Sequence, residues 1–286
     1  MRIAYLGPAG TFTEDALGEA LGSTEFEPLR MDTVYDAILA VIEGRADRAL
    51  APYENSIEGS VRGTLDILAF DAPNVTIVGE HDYPVRQHLV TREGVELGDI
   101  EAVLSHQQGL AQTARFLREN LPGVELRSVS STAAAVRMVS ESPRPWAAVG
   151  SRAAASLYGC RILREGIQDE QNNVTRFVWV APEGTEPGFG DADGNVWKTS
   201  LIFSELGDDR PGALVDALAE FSSRGINLSR IESRPLRSEL GRYFFFVDAD
   251  GSTEEDRVRS AIEALRGKAE SVRILGSYPL LRKAAS

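Results

Sequence analysis

Thr175 and Arg176 stand side by side in the run Asn172-Asn173-Val174-Thr175-Arg176-Phe177, which leads into an apolar stretch patterned as a strand. A guanidinium can clamp a carboxylate through two parallel hydrogen bonds, and a threonine hydroxyl can hand over a proton. A second polar loop, Pro52-Tyr53-Glu54-Asn55-Ser56-Ile57-Glu58-Gly59, offers an acceptor, an amide and a hydroxyl in succession at a strand end. A third, Gly7-Pro8-Ala9-Gly10-Thr11-Phe12-Thr13, joins the first strand to the first helix; its glycines let backbone N–H groups approach a ligand, and a helix N-terminus favours an anion. The fourth is Ser105-His106-Gln107-Gln108, followed by Gln112. Each loop also has an ordinary reading: a strand start with an exposed arginine, a solvated loop, a capped turn, and a helix start with Ser105 as N-cap and His106 as a surface or capping histidine.

These loops need elements to hold them. Over the first 180 residues short apolar strands alternate with amphipathic segments, which implies an α/β fold with largely parallel sheets. Thr13 is a plausible N-cap for the first helix, and the spacing predicts one continuous helix over 107–120. Residues 80–160 look like a second copy of the same layout, so two lobes with a cleft between them are expected, switch-point loops facing the cleft. Residues 181–195 hold four glycines, two prolines, four acids and no base, which marks 181–197 as a linker. Few contacts should cross it, so each side is expected to have its own core. Residues 198–279 read strand, helix, strand, strand, helix, strand, the ferredoxin-like order.

The 286 residues carry 30 basic and 43 acidic side chains, a net charge of −13 that argues against nucleic acid or an anionic membrane as partner. Cys160 stands alone and only His81, His88 and His106 accompany it, so neither a disulfide framework nor a metal site is expected. There is no GxGxxG after the first strand and no GxxxxGK[ST], hence no nucleotide cofactor motif. The N-terminal apolar run breaks at Gly7-Pro8, and no stretch reaches the ~20 apolar residues of a membrane span. A cytoplasmic location is the expectation. On these grounds the chain binds a small anion, as an enzyme or as a binder.

Six motifs in order go further. GPAGTF at 7–12, PYENSIEG at 52–59, SSTAAA at 130–135 and NNVTRF at 172–177 resemble the prephenate dehydratase family, and GALV at 212–215 with ESRP at 232–235 resemble the ACT regulatory domain of that family. The resemblance covers essentially the whole chain. It departs at 105–108, where the family often has SHPQ and this chain has Gln107 in place of proline. With no chorismate mutase segment before the first strand, the chain looks like the monofunctional form.

The resemblance implies a two-lobed, periplasmic-binding-protein-like catalytic domain (1–180) and a ferredoxin-like ACT domain. The implied reaction converts prephenate to phenylpyruvate with loss of carbon dioxide and the ring hydroxyl, and without cofactor. It makes Thr175 the proton donor, with Glu54 as its neighbour, Arg176 the carboxylate clamp and Phe177 a wall. Thr11, Phe12, Asn55, Ser56, Ser105, Gln112 and Thr132 would orient the substrate. L-Phenylalanine would bind between Gly212-Ala213-Leu214, Asn227 and Glu232-Ser233-Arg234, at the interface of two ACT domains in a homodimer or homotetramer. Arogenate dehydratase shares the motifs and is the alternative; a solute-binding protein and a silent regulator are weaker ones.

Overall fold

The computed structural model describes residues 1–187, 196–206, 210–237 and 241–280. The chain begins with β1 (Arg2–Leu6), α1 (Phe12–Leu21), β2 (Glu27–Met31), α2 (Val34–Ile42), β3 (Arg48–Asn55), a two-residue β4 (Gly59–Ser60), α3 (Arg62–Phe70) and β5 (Val75–Pro84). It then crosses into a second lobe: β6 (His88–Thr91), β7 (Ala102–Ser105), α4 (Gln107–Ala111), α5 (Ala114–Asn120), β8 (Glu125–Ser128), α6 (Thr132–Glu141), β9 (Trp146–Gly150), α7 (Arg152–Leu157) and β10 (Arg161–Arg164). β11 (Val174–Pro182) returns to the first lobe. The C-terminal part is β12 (Trp197–Ser204), α8 (Ala213–Ser222), β13 (Leu228–Pro235), β14 (Tyr243–Asp250), α9 (Asp256–Arg266) and β15 (Ser271–Pro279).

The first sheet has the order β2-β1-β3-β11-β5 with β4 on β3, the second β10-β6-β9-β7-β8, and the third β13-β14-β12-β15. The sheets of the two lobes are more mixed than the largely parallel expectation. β11 runs antiparallel between β3 and β5, and β6 runs antiparallel to β9 and β10. Apolar periodicity marks a strand but carries no direction; direction is set here by the two crossings between lobes. Val85 N–H donates to Asn173 O and Ile167 N–H to Gln87 O, which ties the two crossing segments together.

Three helix details differ from expectation. Thr11, not Thr13, caps α1, its Oγ1 accepting the Glu14 N–H. His106, as its capping reading had it, and not Ser105, caps α4 through Nδ1, which accepts the Gln108 N–H. The helix expected over 107–120 is interrupted at Gln112-Thr113, because the Gln112 carbonyl takes the Asp169 N–H at 2.7 Å and Thr113 leaves helical geometry.

The expectation of separate cores holds only in part: the C-terminal part has a core of its own, but also shares one with the first lobe. In β12, Leu201 and Phe203 pack with Ala217, Phe221, Val258 and Leu265 under α8 and α9, while Ile202 points the other way. Ile202, Phe246, Leu275 and Tyr278 join Tyr53, Leu65, Leu68 and Val178 of the first lobe in one cluster. A four-stranded sheet with helices on one face must cover its other face, and here the first lobe covers it. Gly276 allows that approach: a Cβ there would fall 2.0 Å from the Ile77 carbonyl oxygen. Of the expected linker, Ala181 and Pro182 belong to β11 and Trp197 to β12, and residues 188–195 lie outside those described.

Candidate active site

β3 and β11 bring the two central loops together. Thr175 pairs with Asn55 across the two strands. Asn55 Nδ2 donates to Thr175 Oγ1 at 2.9 Å and to Asn173 Oδ1 at 2.8 Å. Asn55 Oδ1 accepts the N–H groups of Ile57 and Glu58, each at 3.0 Å, so the amide can present only its nitrogen to Thr175. With Thr175 Oγ1 accepting from Asn55, the hydroxyl proton is left to point into the cleft.

The cleft between the lobes is a cavity of about 250 Å³. Leu6, Phe12, Pro52, Val85 and Phe177 give it apolar walls. The N-terminal residues of α1 (Thr11, Phe12) and α6 (Ser131, Thr132) line it, and their positive ends suit carboxylates. Gln112 bridges its floor: its Oε1 accepts Asn173 Nδ2 at 3.1 Å and Gln87 Nε2 at 3.3 Å. Gly109 lets α4 sit close, since a Cβ there would be 2.5 Å from Ser105 Oγ. Thr175 and Asn55 also border a wider mouth lined by Glu58, Ser60, Val61, Arg62 and Gln108.

Of the residues expected at the substrate, Thr11, Phe12, Asn55, Gln112, Thr132, Thr175 and Phe177 therefore line the cleft. Ser105 does not: it is fully buried under α4 and donates to Val149 O at 2.8 Å. Ser56 does not either; its hydroxyl donates to Asn172 O and accepts the Val174 N–H, bracing the two loops from outside.

Arg176 and Glu54 are corrected as well. Side chains alternate along a strand, so β11 turns Thr175 and Phe177 to the cleft and Arg176 to the opposite face. A register shift between Arg176 and Phe177 skips Tyr53, leaving Tyr53 and Glu54 both on that opposite face. There Arg176 Nη1 meets Glu54 Oε2 at 3.2 Å, with Asp82, Glu80 and Asp248 at 3.5, 3.7 and 3.8 Å. Burial pulls the guanidinium pKa down, and these four carboxylates outweigh it, leaving Arg176 charged more firmly than an ordinary arginine. Neither residue is placed to touch a molecule in the cleft.

Sequence reasoning missed Gln87, Gln108, Ser131, Asn173 and Arg62 as lining residues, and set His106 aside. Asn173 and Ser131 sat inside quoted motifs. Nothing local marks Gln87 or Arg62, which reach the cleft only through the fold. Arg62 is exposed at the start of α3, whose N-cap Val61 supplies no side-chain hydrogen bond, and it makes no ion pair among the described residues.

A family model for prephenate dehydratase matches residues 3–185, nearly two thirds of the chain. The chain belongs to the prephenate dehydratase family. A model for the ACT domain matches residues 201–267. Similar proteins include the prephenate dehydratase of Mycolicibacterium smegmatis, 42% identical over 97% of this chain and 90% of that one. The bifunctional chorismate mutase/prephenate dehydratase of Aquifex aeolicus is 40% identical over 98% of this chain and 74% of its own. A crystal structure of prephenate dehydratase from Arthrobacter aurescens in complex with L-Phe superposes with a TM-score of 0.87 at 39% identity, covering 99% of this chain and 90% of that one.

In the ACT domain of this family member, Gly212 caps α8 at φ 87°, a left-handed conformation that strains any larger side chain. Ala213 and Leu214 lean on the C-terminal core. Asn227 Nδ2 donates to Asp250 Oδ2 at 2.9 Å. Glu232 and Ser233 lie on the sheet edge strand β13, and Arg234 beside them is paired with Asp66 of α3 at 2.8 Å rather than open to a ligand. Among the described residues no helix is long and apolar enough to cross a membrane, and no cluster of His, Cys, Asp or Glu is arranged to hold a metal.

Proposed function

We infer that the protein is a prephenate dehydratase of phenylalanine biosynthesis, regulated by L-phenylalanine through its ACT domain. The observation that carries this is the Thr175 hydroxyl, held by Asn55 and turned into an apolar-walled cleft, in a chain of this family. Relatives named for prephenate favour it over arogenate as substrate.

The ring carboxylate leaves as carbon dioxide, its bonding pair moves into the ring, and the ring C–O bond breaks as the ring becomes aromatic. One proton must reach the departing hydroxyl, which leaves as water. Thr175 O–H donates it in the same step, and solvent at the mouth restores the threonine proton; a free threonine alkoxide is too basic to form on its own. Asn55 fixes the donor's position and Gln112 and Asn173 fix Asn55. Phe12, Phe177 and Val85 keep water from the leaving carboxylate, which favours decarboxylation. Arg62 and the ends of α1 and α6 supply positive potential for a dianion that a −13 surface repels at long range. The step involves no redox change and uses no cofactor.

The enzyme acts in the cytoplasm as a homodimer or homotetramer joined through its ACT domains. Support comes from β13, a sheet edge that leaves Ile231 exposed, and from α8, which leaves Val215 exposed. L-Phenylalanine sits between the α8 start (Gly212, Ala213, Leu214), Asn227 just before β13, and the β13 residues Glu232 and Ser233. Spectrophotometry of phenylpyruvate formation, with and without phenylalanine, tests the reading. Turnover of prephenate in the presence of EDTA, inhibited by phenylalanine, is expected; turnover of arogenate alone, or none, overturns it.

A further inference from the structure

The face of the first sheet behind Thr175 is unusually charged for an interdomain contact. Arg176 sits among Glu54, Glu80, Asp82 and Asp248, the last of which is contributed by β14 of the ACT domain and is 1% exposed. Asp248 Oδ1 accepts from Ser200 Oγ at 2.6 Å, while its Oδ2 has no hydrogen bond and faces Arg176. Lys198 of β12 places Nζ 2.7 Å from both Glu80 oxygens, and Tyr278 of β15 reaches Glu80 at 3.3 Å. Arg230 of β13 completes the set. It lies 4.6 Å over the Tyr53 ring, donates to Tyr53 Oη at 3.2 Å and to Ser60 Oγ at 2.7 Å, and approaches Glu54 at 3.9 Å. Each of the four ACT strands thus contributes a polar side chain to the back of the first sheet, Arg230 and Asp248 to β3 and β11, Lys198 and Tyr278 to Glu80 of β5.

The front of the same two strands holds Asn55 and Thr175, one residue away from Glu54 and Arg176. Ser60, gripped by Arg230, lines the cleft mouth. Arg230 also lies on the strand that carries Glu232 and Ser233. A shift of β13 along its axis therefore moves a guanidinium that is buried in the back of the active-site sheet.

We propose that Arg230 and Asp248 are positioning residues: through Arg230 on Ser60 and Glu54, and Asp248 on Arg176, the ACT sheet sets where Asn55 and Thr175 stand in the cleft. The effector's influence passes within one subunit by this route. The proposal rests on the functional reading above for its effector. Buried charged groups packed this way have discrete arrangements rather than a continuous range, which suits a two-state element. Glu54 and Arg176, which the cleft does not use, find their role here.

The experiment compares the full-length parent with Arg230→Lys and Asp248→Asn. Arg230→Lys keeps the charge but loses the fork that spans Tyr53 and Ser60; Asp248→Asn keeps the Ser200 contact but loses the charge facing Arg176. Phenylalanine affinity is read by calorimetry, hydrogen exchange over 52–62 and 172–178 by mass spectrometry with and without phenylalanine, and prephenate kinetics alongside. Phenylalanine is expected to alter exchange in both segments of the parent. In both variants it should still bind while that alteration disappears, and its effect on kcat/KM, about 5–150-fold for an ordinary allosteric coupling, should fall below about 2-fold. Variants that transmit as the parent does overturn the proposal, as does a parent whose two segments ignore phenylalanine or which does not bind it. A parent that shows the exchange change but does not turn over prephenate overturns the function and leaves the coupling standing. If one variant fails to fold, the other and the parent still decide.

Discussion

Thr175 and Arg176 are consecutive in the chain and face opposite sides of one sheet: the threonine hydroxyl is held at 2.9 Å by Asn55 in the cleft, and the guanidinium lies among four carboxylates behind it. The pair divides one motif between chemistry and the contact with the regulatory domain.

Thr175→Ala should lower kcat by about 10²–10⁴, the usual scale for a proton donor, with a smaller change in KM. Thr175→Ser, which keeps a hydroxyl within reach of Asn55, should retain much more. Steady-state kinetics on prephenate checks both; a folded Thr175→Ala enzyme with near-normal kcat removes the threonine from the chemistry.

Arg62→Ala should raise KM for prephenate about 10-fold or more and leave kcat nearly unchanged, the mark of an interaction made equally in the ground and transition states. Because Arg62 is exposed, added salt should shrink the difference between parent and variant. A KM equal to the parent's at low salt would assign the substrate charge to the helix ends alone.

Gly276→Ala should destabilise the protein by about 1–3 kcal/mol, the cost of overpacking, because the new methyl group meets the backbone of Ile77 rather than a flexible side chain. Urea denaturation measures it. The same contact predicts that residues 1–187 alone expose Tyr53, Leu65 and Leu68, which Phe246 and Tyr278 cover in the whole chain, and aggregate.

Asp15, in the first turn of α1, has its pKa pushed up to about 6 by burial, against the lowering effect of hydrogen bonds from Ser151 and Tyr83. The folded state therefore holds this proton more tightly than the unfolded chain. The stability so contributed is complete below the unfolded value of 3.8 and is lost as pH rises through about 6. Asp15→Asn should gain on the parent over that window, by about 1 kcal/mol once the partial exposure of the group is allowed for. Unfolding curves at pH 4 and pH 7.5 test this; a difference that does not grow with pH contradicts it.

The extent to which site and fold were legible follows from how local each signal is. The βαββαβ order of the C-terminal part could be read because apolar alternation and helical spacing are properties of short windows. Thr175, Asn55 and the Thr11 loop could be read because they sit in contiguous motifs. The break at Gln112 could not, because it depends on the Asp169 N–H, far along the chain. Gln87 and Arg62 could not for the same reason: they enter the cleft from segments whose own sequence carries no mark of it.

The amino-acid sequence by itself determined the family, the alternation of elements and the presence of a proton-donating threonine beside an arginine. Only the tertiary structure decided which way each of them faces. A strand alternates its side chains whatever their chemistry; pairing of Arg176 with Glu54 and of Thr175 with Asn55 sets Glu54 on the arginine's side and Asn55 on the threonine's, and the register shift beyond them adds Tyr53 to Glu54's face. Whether a polar side chain meets substrate or a neighbouring domain then depends on what packs against that face. Here the second lobe stands before one face of β11 and the ACT sheet covers the other, an arrangement made of contacts between residues over a hundred positions apart, which no local pattern encodes.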